Sequence, residues 1–599
     1  IIMDKQTKAQ LENALIRRFF VAPSFEIYGG VAGLFDLGPA GAQIRQNLVS
    51  AWRNHFVVAD DLLEVQCTCL VPEQVLVASG HVAKFADLMV KDLKTGECYR
   101  ADKLIEEQLQ KKLDVEKDAA KKHDMQIAFN QIDGMNEADT YEIMKKFNIT
   151  SDVGNELSQP FPFNLMFQTS IGPSAQAKAY LRPETAQGIF MNFKRGFEQA
   201  RQQLPFGIAQ VGTAFRNEIA PRNGLLRVRE FEQAEIEYFI QNREGGCKHI
   251  GDVLDLKVNL FSSHQQLNDL PMTQEITIRD ALAQKIISHE YLAYFMGKTF
   301  QFLQSVGIEG SKLRFRQHLP KQLAHYAKDC WDADCLLYCG WTEIVGIADR
   351  SAFDLQVHSK ATGQDLSAFV KYDTPVQKEL YTAKAVMKVL AKEMKQQAQQ
   401  IKTAIEAATQ EDLARMDQEI QQSGKYALCG VELAKETIQL QKSMQTVHGE
   451  TITPIVIEPS FGIGRIIYSI LEHSFYMREN DEQRTVFKFN PLIAPFKMAV
   501  ISLMVKDELE AVSCQIIKQM RKAGISCKGD DSGVQIGKKY ARFDEIGIPY
   551  IVTVDYDTLK DQTVTLRERD SMKQVRVQVA QLEQIMGKLM NGMAFDEVK

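Results

Sequence analysis

The apolar residues of this chain change their period several times. Residues from about 11 to 100 begin with a helical stretch and pass through the glycine-rich run 28–33. The pair Gly38 and Pro39 then leads into a long amphipathic segment, Gln43 to Phe56, so a turn followed by a helix is expected. From about 101 to 150, Lys, Glu and Gln surround apolar residues at Leu104, Ile105, Leu109 and Leu113, the spacing of a charged helical insertion. The plain alternative for that block is a solvated helix pair without chemistry. Between 160 and 240 the period shortens, and the β-like runs Phe206 to Val211 and Glu235 to Ile240 predict an antiparallel sheet. A second Lys/Gln/Ala-rich helical block, about 375 to 445, interrupts β-rich text on both sides. Beyond residue 490, strand-like runs at Lys497 to Met504, Ile548 to Val554 and Thr563 to Leu566 alternate with helical patterns at 506–523, 537–546 and 578–592. That alternation predicts a separate α/β domain of about a hundred residues. No repeat of fixed period interrupts these patterns.

Composition narrows the class. The chain has 599 residues, more than one core needs, with 45% hydrophobic and 25% charged residues, so it folds as several globular domains. A net charge of -6 means that any polyanion must be held by local basic patches and not by a globally positive surface. Ten cysteines are far too few for a disulfide scaffold. The most leader-like segment, Ala14 to Ala22, is broken by Arg17 and Arg18, and no run of eighteen apolar residues occurs. No membrane span and a cytoplasmic location are therefore expected, with an organellar isoform left open. Met3 reads as the natural start, behind an added Ile1 and Ile2.

The chemistry does not follow common nucleotide signatures. Residues 533–539 lack the spacing and the Ser/Thr of a P-loop, and residues 29–33 lack the glycine pattern of a dinucleotide turn. His289 and Glu290 have no second histidine four residues on. Cys330, Cys335 and Cys339 with His318 or His325 match no common zinc spacing. The dense segment is Phe215, Arg216, Asn217 and Glu218, then a loop holding Pro221, Arg222, Asn223 and Gly224, then Arg227, Val228, Phe231 and Glu235. It reads as two strands joined by a loop, with Arg216 and Glu218 on one face and Arg227, Phe231 and Glu235 on one face of the return. An Arg fork, a carboxylate and an aromatic ring on one surface suit an adenosine phosphate. A surface ladder of ion pairs across a hairpin is the competing reading.

The spacing Phe-Arg-x-Glu, loop, Arg-x-x-x-Phe-x-x-x-Glu resembles motif 2 of the class II aminoacyl-tRNA synthetases. Residues 458–465, Glu-Pro-Ser-Phe-Gly-Ile-Gly-Arg, followed by apolar Ile466 to Leu471, resemble motif 3. Leu34 to Phe56 is similar to motif 1, which forms the homodimer interface in that family. The strings at 181–188 (Leu-Arg-Pro-Glu-Thr-Ala-Gln-Gly), 343–346 (Glu-Ile-Val-Gly) and 348–350 (Ala-Asp-Arg) narrow the resemblance to the eukaryotic and archaeal type of glycyl-tRNA synthetase. It covers nearly the whole chain. One departure from many class II enzymes is that Arg465 follows Gly464 directly, a compact form that the glycyl family shares. A catalytically silent relative and a synthetase for another small amino acid are the competing readings, the first weakened by the complete set Arg216, Glu218 and Arg465.

The resemblance implies an α+β fold: a class II antiparallel β-sheet catalytic domain flanked by helices, with helical insertions and a C-terminal α/β anticodon-binding domain. It implies catalytic residues 1–100 with motif 1, a helical insertion at 101–160, core 161–372 with motif 2, a helical insertion at 373–447, core 448–485 with motif 3, and an anticodon-binding domain at 486–599. It implies an ATP-dependent glycine–tRNA ligase acting on glycine, ATP and tRNA(Gly), a homodimer, with Mg²⁺ as cofactor and diadenosine tetraphosphate synthesis as a side activity. By position, Arg216 and Arg465 hold the α- and γ-phosphates of a bent ATP, Glu218 meets the adenine amino group and Phe231 stacks on the ring. Asn217, Arg227, Val228, Glu343 and Ile344 complete the ATP set, and Glu343 approaches Mg²⁺. Glycine falls to Glu184, Glu235, Glu458, Pro459 and Ser460, helped by Arg182. Arg222 and Asn223 are placed near the tRNA acceptor end. Lys518 to Lys528, with Lys538, Lys539 and Arg542, are candidate tRNA contacts, a solvated helix face being the alternative.

Overall fold

The computed structural model describes residues 3–598, apart from 133–134, 174–176, 222 and 479–480. Helix α1 (Lys5–Arg17) starts on Asp4, whose carboxylate takes the unpaired amides of Gln6 and Thr7. Helix α2 (Pro39–Trp52) begins with proline at its first position, where the missing N–H costs nothing. Gly38 before it cannot be replaced freely, because a Cβ there would lie 2.0 Å from the Phe19 carbonyl oxygen. The helix therefore starts earlier than the apolar period suggests, and it continues as a π-helical turn, Arg53–Val58.

A nine-stranded sheet follows from β1 (Leu63–Glu64), β2 (Phe206–Phe215), β3 (Glu230–Ile240), β4 (Lys257–Phe261), β5 (Thr273–Thr277), β6 (Leu313–Gln317), β7 (Asp329–Leu337), β8 (Gly340–Ser351) and β9 (Ile455–Gly462). Its order is β5-β4-β6-β7-β8-β9-β3-β2-β1. All neighbours run antiparallel except β1 with β2 and β4 with β6. Side-chain alternation then assigns the two faces. Ala234, Ile236 and Ile240 of β3 and Ile457 and Phe461 of β9 enter the core with α2, α3 (Glu290–Ser305) and α4 (Ile463–Ser474). Phe461 lies 5.9, 5.0 and 5.7 Å, centroid to centroid, from Trp52, Phe56 and Phe302. Each such buried ring contributes about 1.5–3 kcal/mol. The intervening residues, Gln233 and Glu235 of β3 with Glu458 and Ser460 of β9, face the opposite side and line a cavity.

The first charged block folds as helices Ala101–Val115, Ala119–Gln131 and Glu137–Lys146, and Leu104, Ile105, Leu109 and Leu113 are all buried. Its base is a three-stranded sheet of 86–91, 98–100 and 161–164, which the helical period does not reveal. Residues Ser367–Ile452 form a compact unit of their own. Here helices occupy only the middle, Met387–Ser423. The flanks, Ala368–Ala385 and Ile438–Ile452, are a two-stranded antiparallel ribbon, and a small hairpin pairs Lys425–Leu428 with Val431–Ala434. Only Tyr381, Ala383, Ala385, Ile438 and Leu440 of the ribbon pack on the helices and most of the rest is exposed, so little apolar alternation is needed and its Lys/Gln-rich sequence reads as helix.

At the C-terminal end, β10 (Met498–Ser502), α5 (Asp507–Lys522), β11 (Cys527–Asp530), α6 (Ile536–Ile546), β12 (Tyr550–Val554), β13 (Thr563–Glu568), β14 (Gln574–Gln578) and α7 (Leu582–Met590) follow the alternation read from the sequence. Their sheet runs β11-β10-β12-β13-β14, parallel through its first three strands. Arg17, Arg18 and Thr485 bond Glu545 of α6, while Arg478, Arg484 and Arg567 converge on fully buried Asp544 beside it. Among the described residues no helix is long and apolar enough to cross a membrane.

Candidate active site

The cavity above the sheet holds about 260 Å³ and is built from four separated stretches of chain, Glu184 and residues 216–235, 318–348 and 458–465. Strand β2 ends at Phe215, one residue before the expected arginine, so Arg216 and Glu218 sit in the loop and not on the strand. The Arg216 amide donates to the Arg229 carbonyl at 2.9 Å, and the Glu218 amide folds back to the Arg216 carbonyl at 2.7 Å. That tight turn still aims both side chains into the cavity, with Arg227, Val228 and Phe231 from the returning segment. Arg227 likewise precedes β3, 3.9 Å from the Glu218 carboxylate. The Arg216 guanidinium lies 5.3 Å from the ring centres of Phe85 and Phe231, and its Nε donates to the Pro183 carbonyl at 3.2 Å. Arg465 enters from the first turn of α4, donating to the Leu226 carbonyl at 3.1 Å and the Glu343 carbonyl at 2.8 Å. It keeps about a third of its side chain exposed, 3.3 Å from the half-exposed Glu343 carboxylate. Against desolvation, the charges of Arg465, His318 and Arg216 hold Glu343 below the usual carboxylate range.

The other end is acidic and buried. The Glu235 carboxylate accepts from the Thr185 amide at 2.8 Å, from the Thr185 hydroxyl, and from the Ser460 hydroxyl at 2.6 Å. Glu184 accepts from Gln187 at 2.9 Å and meets His81 at 3.3 Å. Burial works to raise its pKa, but the charges of His81 and Arg350 prevail and hold it well below the usual carboxylate range. Glu458 accepts from Arg350 at 2.9 Å, which favours its charged form, while burial and the repulsion of Glu235 and Glu184 push its carboxyl above the usual carboxylate range. Arg350 is wholly buried, also bonds Asp354 at 2.8 Å, and lies 3.9 Å over the Tyr326 ring. One guanidinium thus serves Glu458, Asp354 and, at 3.6 Å, Glu184. A buried site with surplus negative charge suits a small cation.

Residues 167–474 match the tRNA synthetase class II core domain (G, H, P, S and T), and residues 493–589 match the anticodon binding domain. The glycine–tRNA ligase of Caenorhabditis elegans is 46% identical over 98% of this chain and 80% of its own length. That of Drosophila melanogaster is 45% identical over 97% and 76%. The chain belongs to the glycine–tRNA ligases. This ligase is accordingly an ATP-dependent class II aminoacyl-tRNA synthetase: it activates glycine to glycyl-adenylate with release of pyrophosphate and transfers glycine to tRNA.

Within the ligase, the structure gathers Arg216, Glu218, Arg227, Val228, Phe231, Glu343, Ile344 and Arg465 on the cavity wall, and with them Glu184, Glu235, Glu458 and Ser460. Asn217 and Pro459 do not line it. The Asn217 amide is spent on the Leu165 carbonyl at 2.7 Å, and strand alternation turns Pro459 away from its two neighbours. Arg182 lies behind the wall, donating to the Thr213 and Cys67 carbonyls at 2.7 and 3.0 Å. Arg222 lies outside the described residues, and Asn223 stands at a left-handed position (φ 62°) in the motif 2 loop. Asp354, His81 and Tyr326 are contributors that motif spacing did not single out, and Arg350 and Gln187 stood inside the strings 348–350 and 181–188 without a role assigned to them. Their common signal is a buried polar side chain beside an expected ligand, which only the fold supplies. Of the candidate zinc ligands, His318 and Cys330 meet with Asp332 on the cavity wall, their ligand atoms within 4.8 Å. Cys335 faces the opposite side near His473, and Cys339 is exposed at a turn. Burial raises the Cys330 thiol, which keeps it protonated and a poor ligand.

Proposed function

We propose that Arg216 and Arg465 hold the α- and γ-phosphates of a bent ATP, with Phe231 stacked on adenine and Glu218 receiving its amino group. Arg227, Val228 and Ile344 line the nucleotide site, and Glu184, Glu235, Glu458 and Ser460 take glycine. The observation that carries this reading is that two arginines from distant motifs reach one cavity whose far end is a nest of carboxylates. Catalysis then needs position and charge. Holding the glycine carboxylate in line with the α-phosphorus removes a large entropy cost, and the guanidinium groups meet negative charge that develops on the phosphoryl oxygens. The N-terminus of α4, where Gly462, Gly464 and Arg465 line the cavity, adds its dipole. The hard oxygen donors of Glu343 and Asp332 on the same wall fit Mg²⁺, which when bound supplies further neutralisation of phosphate charge.

Glycine is selected by sign and size: the carboxylates orient its ammonium, and nothing smaller competes, so no editing step is required. The exposed apolar residues just before motif 1, Ile27 and Tyr28 at 91% and 86% exposure, support a homodimer seam in this part of the chain. For tRNA(Gly), Lys518, Lys522 and Lys528 offer an exposed basic face, as does Lys538. Lys539 is buried against the Asp530 carbonyl and so leaves the candidate contact set, while Arg542 is paired with Asp530 and keeps much of its side chain exposed. The enzyme works in the cytoplasm in this reading, and attack of a second ATP on the adenylate would yield diadenosine tetraphosphate. The test is ATP–pyrophosphate exchange without tRNA over a panel of amino acids. Glycine alone should stimulate it, and Arg216→Ala or Arg465→Ala should each lose on the order of 3 kcal/mol of transition-state stabilisation, roughly a hundredfold in rate. Near-normal exchange in either variant would remove its phosphate role.

A further inference from the structure

Glu237 lies two residues beyond Glu235 on β3 and is 0% exposed. Among the described residues neither of its carboxyl oxygens has a hydrogen-bond partner. The register that sets Glu235 against Ser460 and Tyr238 against Ile457 puts Glu237 directly opposite Glu458 on β9. Facing side chains of adjacent strands stand roughly 5 Å apart at Cβ, so the two carboxyls share one small volume. On the other side, Glu237 is paired in register with apolar Ile208 of β2. The charged and titratable groups around it are Glu235 on its own strand, Glu458 on β9, Arg350 on β8 and Asp354 on the helix Phe353–Thr362. His358 of that helix, Glu184 and His81 complete the surrounding set, joined through Gln187 and Arg350. Arg350 already answers Glu458, Asp354 and Glu184, leaving Glu237 no cation of its own.

A bare carboxylate without a partner in such a place costs several kcal/mol, and two facing carboxylates cannot both ionise cheaply. We propose that Glu237 is a positioning residue for the ammonium end of the glycine site: before glycine binds, Glu237 and Glu458 together hold one proton, and entry of the ammonium releases it to solvent. The proposal rests on the reading that Glu458 faces the glycine ammonium. The proton sits on Glu237, because Arg350 donates to Glu458 at 2.9 Å and stabilises that partner's charge. Burial first, and then the charge of Glu458, drive the Glu237 carboxyl well above its ordinary range. The exchange balances: neutral Glu237 gives up H⁺, the incoming glycine keeps its ammonium, and the cluster gains one negative charge as it gains one positive charge. Glu237 touches no substrate; it acts through Glu458 by letting the site be less charged before binding and fully charged after it.

Two measurements test this. Calorimetric titration of glycine into the wild-type enzyme, saturated with a non-reactive ATP analogue, in buffers of low and high ionisation enthalpy near neutral pH should give close to one proton released per glycine. In pyrophosphate exchange, the wild-type KM for glycine should fall by about tenfold per pH unit through the acid side of neutrality, since one proton is linked to binding. Glu237→Gln should release no proton and hold a glycine KM that changes less than about twofold over the same range, with the KM for ATP unchanged. Absence of proton release by the wild-type enzyme overturns the proposal without reference to any variant. If Glu458→Gln raises the glycine KM while Glu237→Gln keeps the wild-type pH profile, only the role of Glu237 falls. If Glu458→Gln leaves the glycine KM unmoved, the ammonium assignment fails and the proposal with it.

Discussion

Single residues at the acidic end of the cavity carry opposite obligations. Arg350 is the buried counter-charge for Glu458 and Asp354, so Arg350→Met removes one cation and strands two carboxylates. Breaking a buried pair in this way costs about 3–5 kcal/mol, and a urea midpoint should show the loss even with glycine absent. Glu458→Gln, by contrast, keeps the shape and removes charge, so it should raise the KM for glycine in pyrophosphate exchange by about tenfold while leaving that for ATP within twofold. Equal losses for both ligands would argue against the division of the cavity. The motif residues Arg216, Phe231 and Arg465 were legible in the sequence because their types and spacing repeat a family pattern. The roles of Arg350, Gln187 and His81 were not, even though the first two lie in strings that carry the resemblance, because their value lies in what they touch, and those partners come from remote parts of the chain. Asn217 and Pro459 show the converse: a place inside a motif does not fix the direction of a side chain.

At the scale of elements, strand and helix periods served well wherever one face is buried. The C-terminal alternation and the pair β2 and β3 follow from apolar text, whereas the ribbon 368–385 with 438–452 and the small sheet at the base of the first insertion have no such signature. Junctions carry their own constraints. A Cβ at Gly212 of β2 would fall 2.1 Å from the Arg182 guanidinium, so Gly212→Ala should displace Arg182 and lower the thermal midpoint by several degrees. The π-helical turn after α2 holds His55, whose Nε2 lies 2.9 Å from the Lys298 carbonyl. Burial, with the nearby Lys298 charge, lowers its pKa from 6.5 to about 4. The folded chain therefore leaves His55 neutral where the unfolded chain protonates it, and stability falls as pH drops from 6.5 towards 4. The contribution is at most roughly 3 kcal/mol, reduced by partial exposure, and His55→Gln should flatten that part of a stability-against-pH curve.

At the scale of the whole molecule, a net charge of -6 leaves tRNA affinity to local basic faces. Binding of tRNA should weaken steeply with salt, and replacing Lys518, Lys522 and Lys528 by Ala should reduce the slope by roughly one unit for each phosphate that is no longer neutralised. A slope unchanged in the triple variant would place the tRNA on another face. Glycine activation without tRNA should be unaffected. The ribbon of the inserted unit has a consequence for how the chain tolerates change. Its first paired residue, Ala368, faces its last, Ile452, so the polypeptide departs and returns at neighbouring points. An excursion closed at its root exerts no pull on the strands that flank it, however long it grows, and loop-closure entropy rises only slowly with length. Evolution is thereby free to lengthen, shorten or redecorate this appendage without retuning the spacing of Glu343 and Glu458 on either side of it.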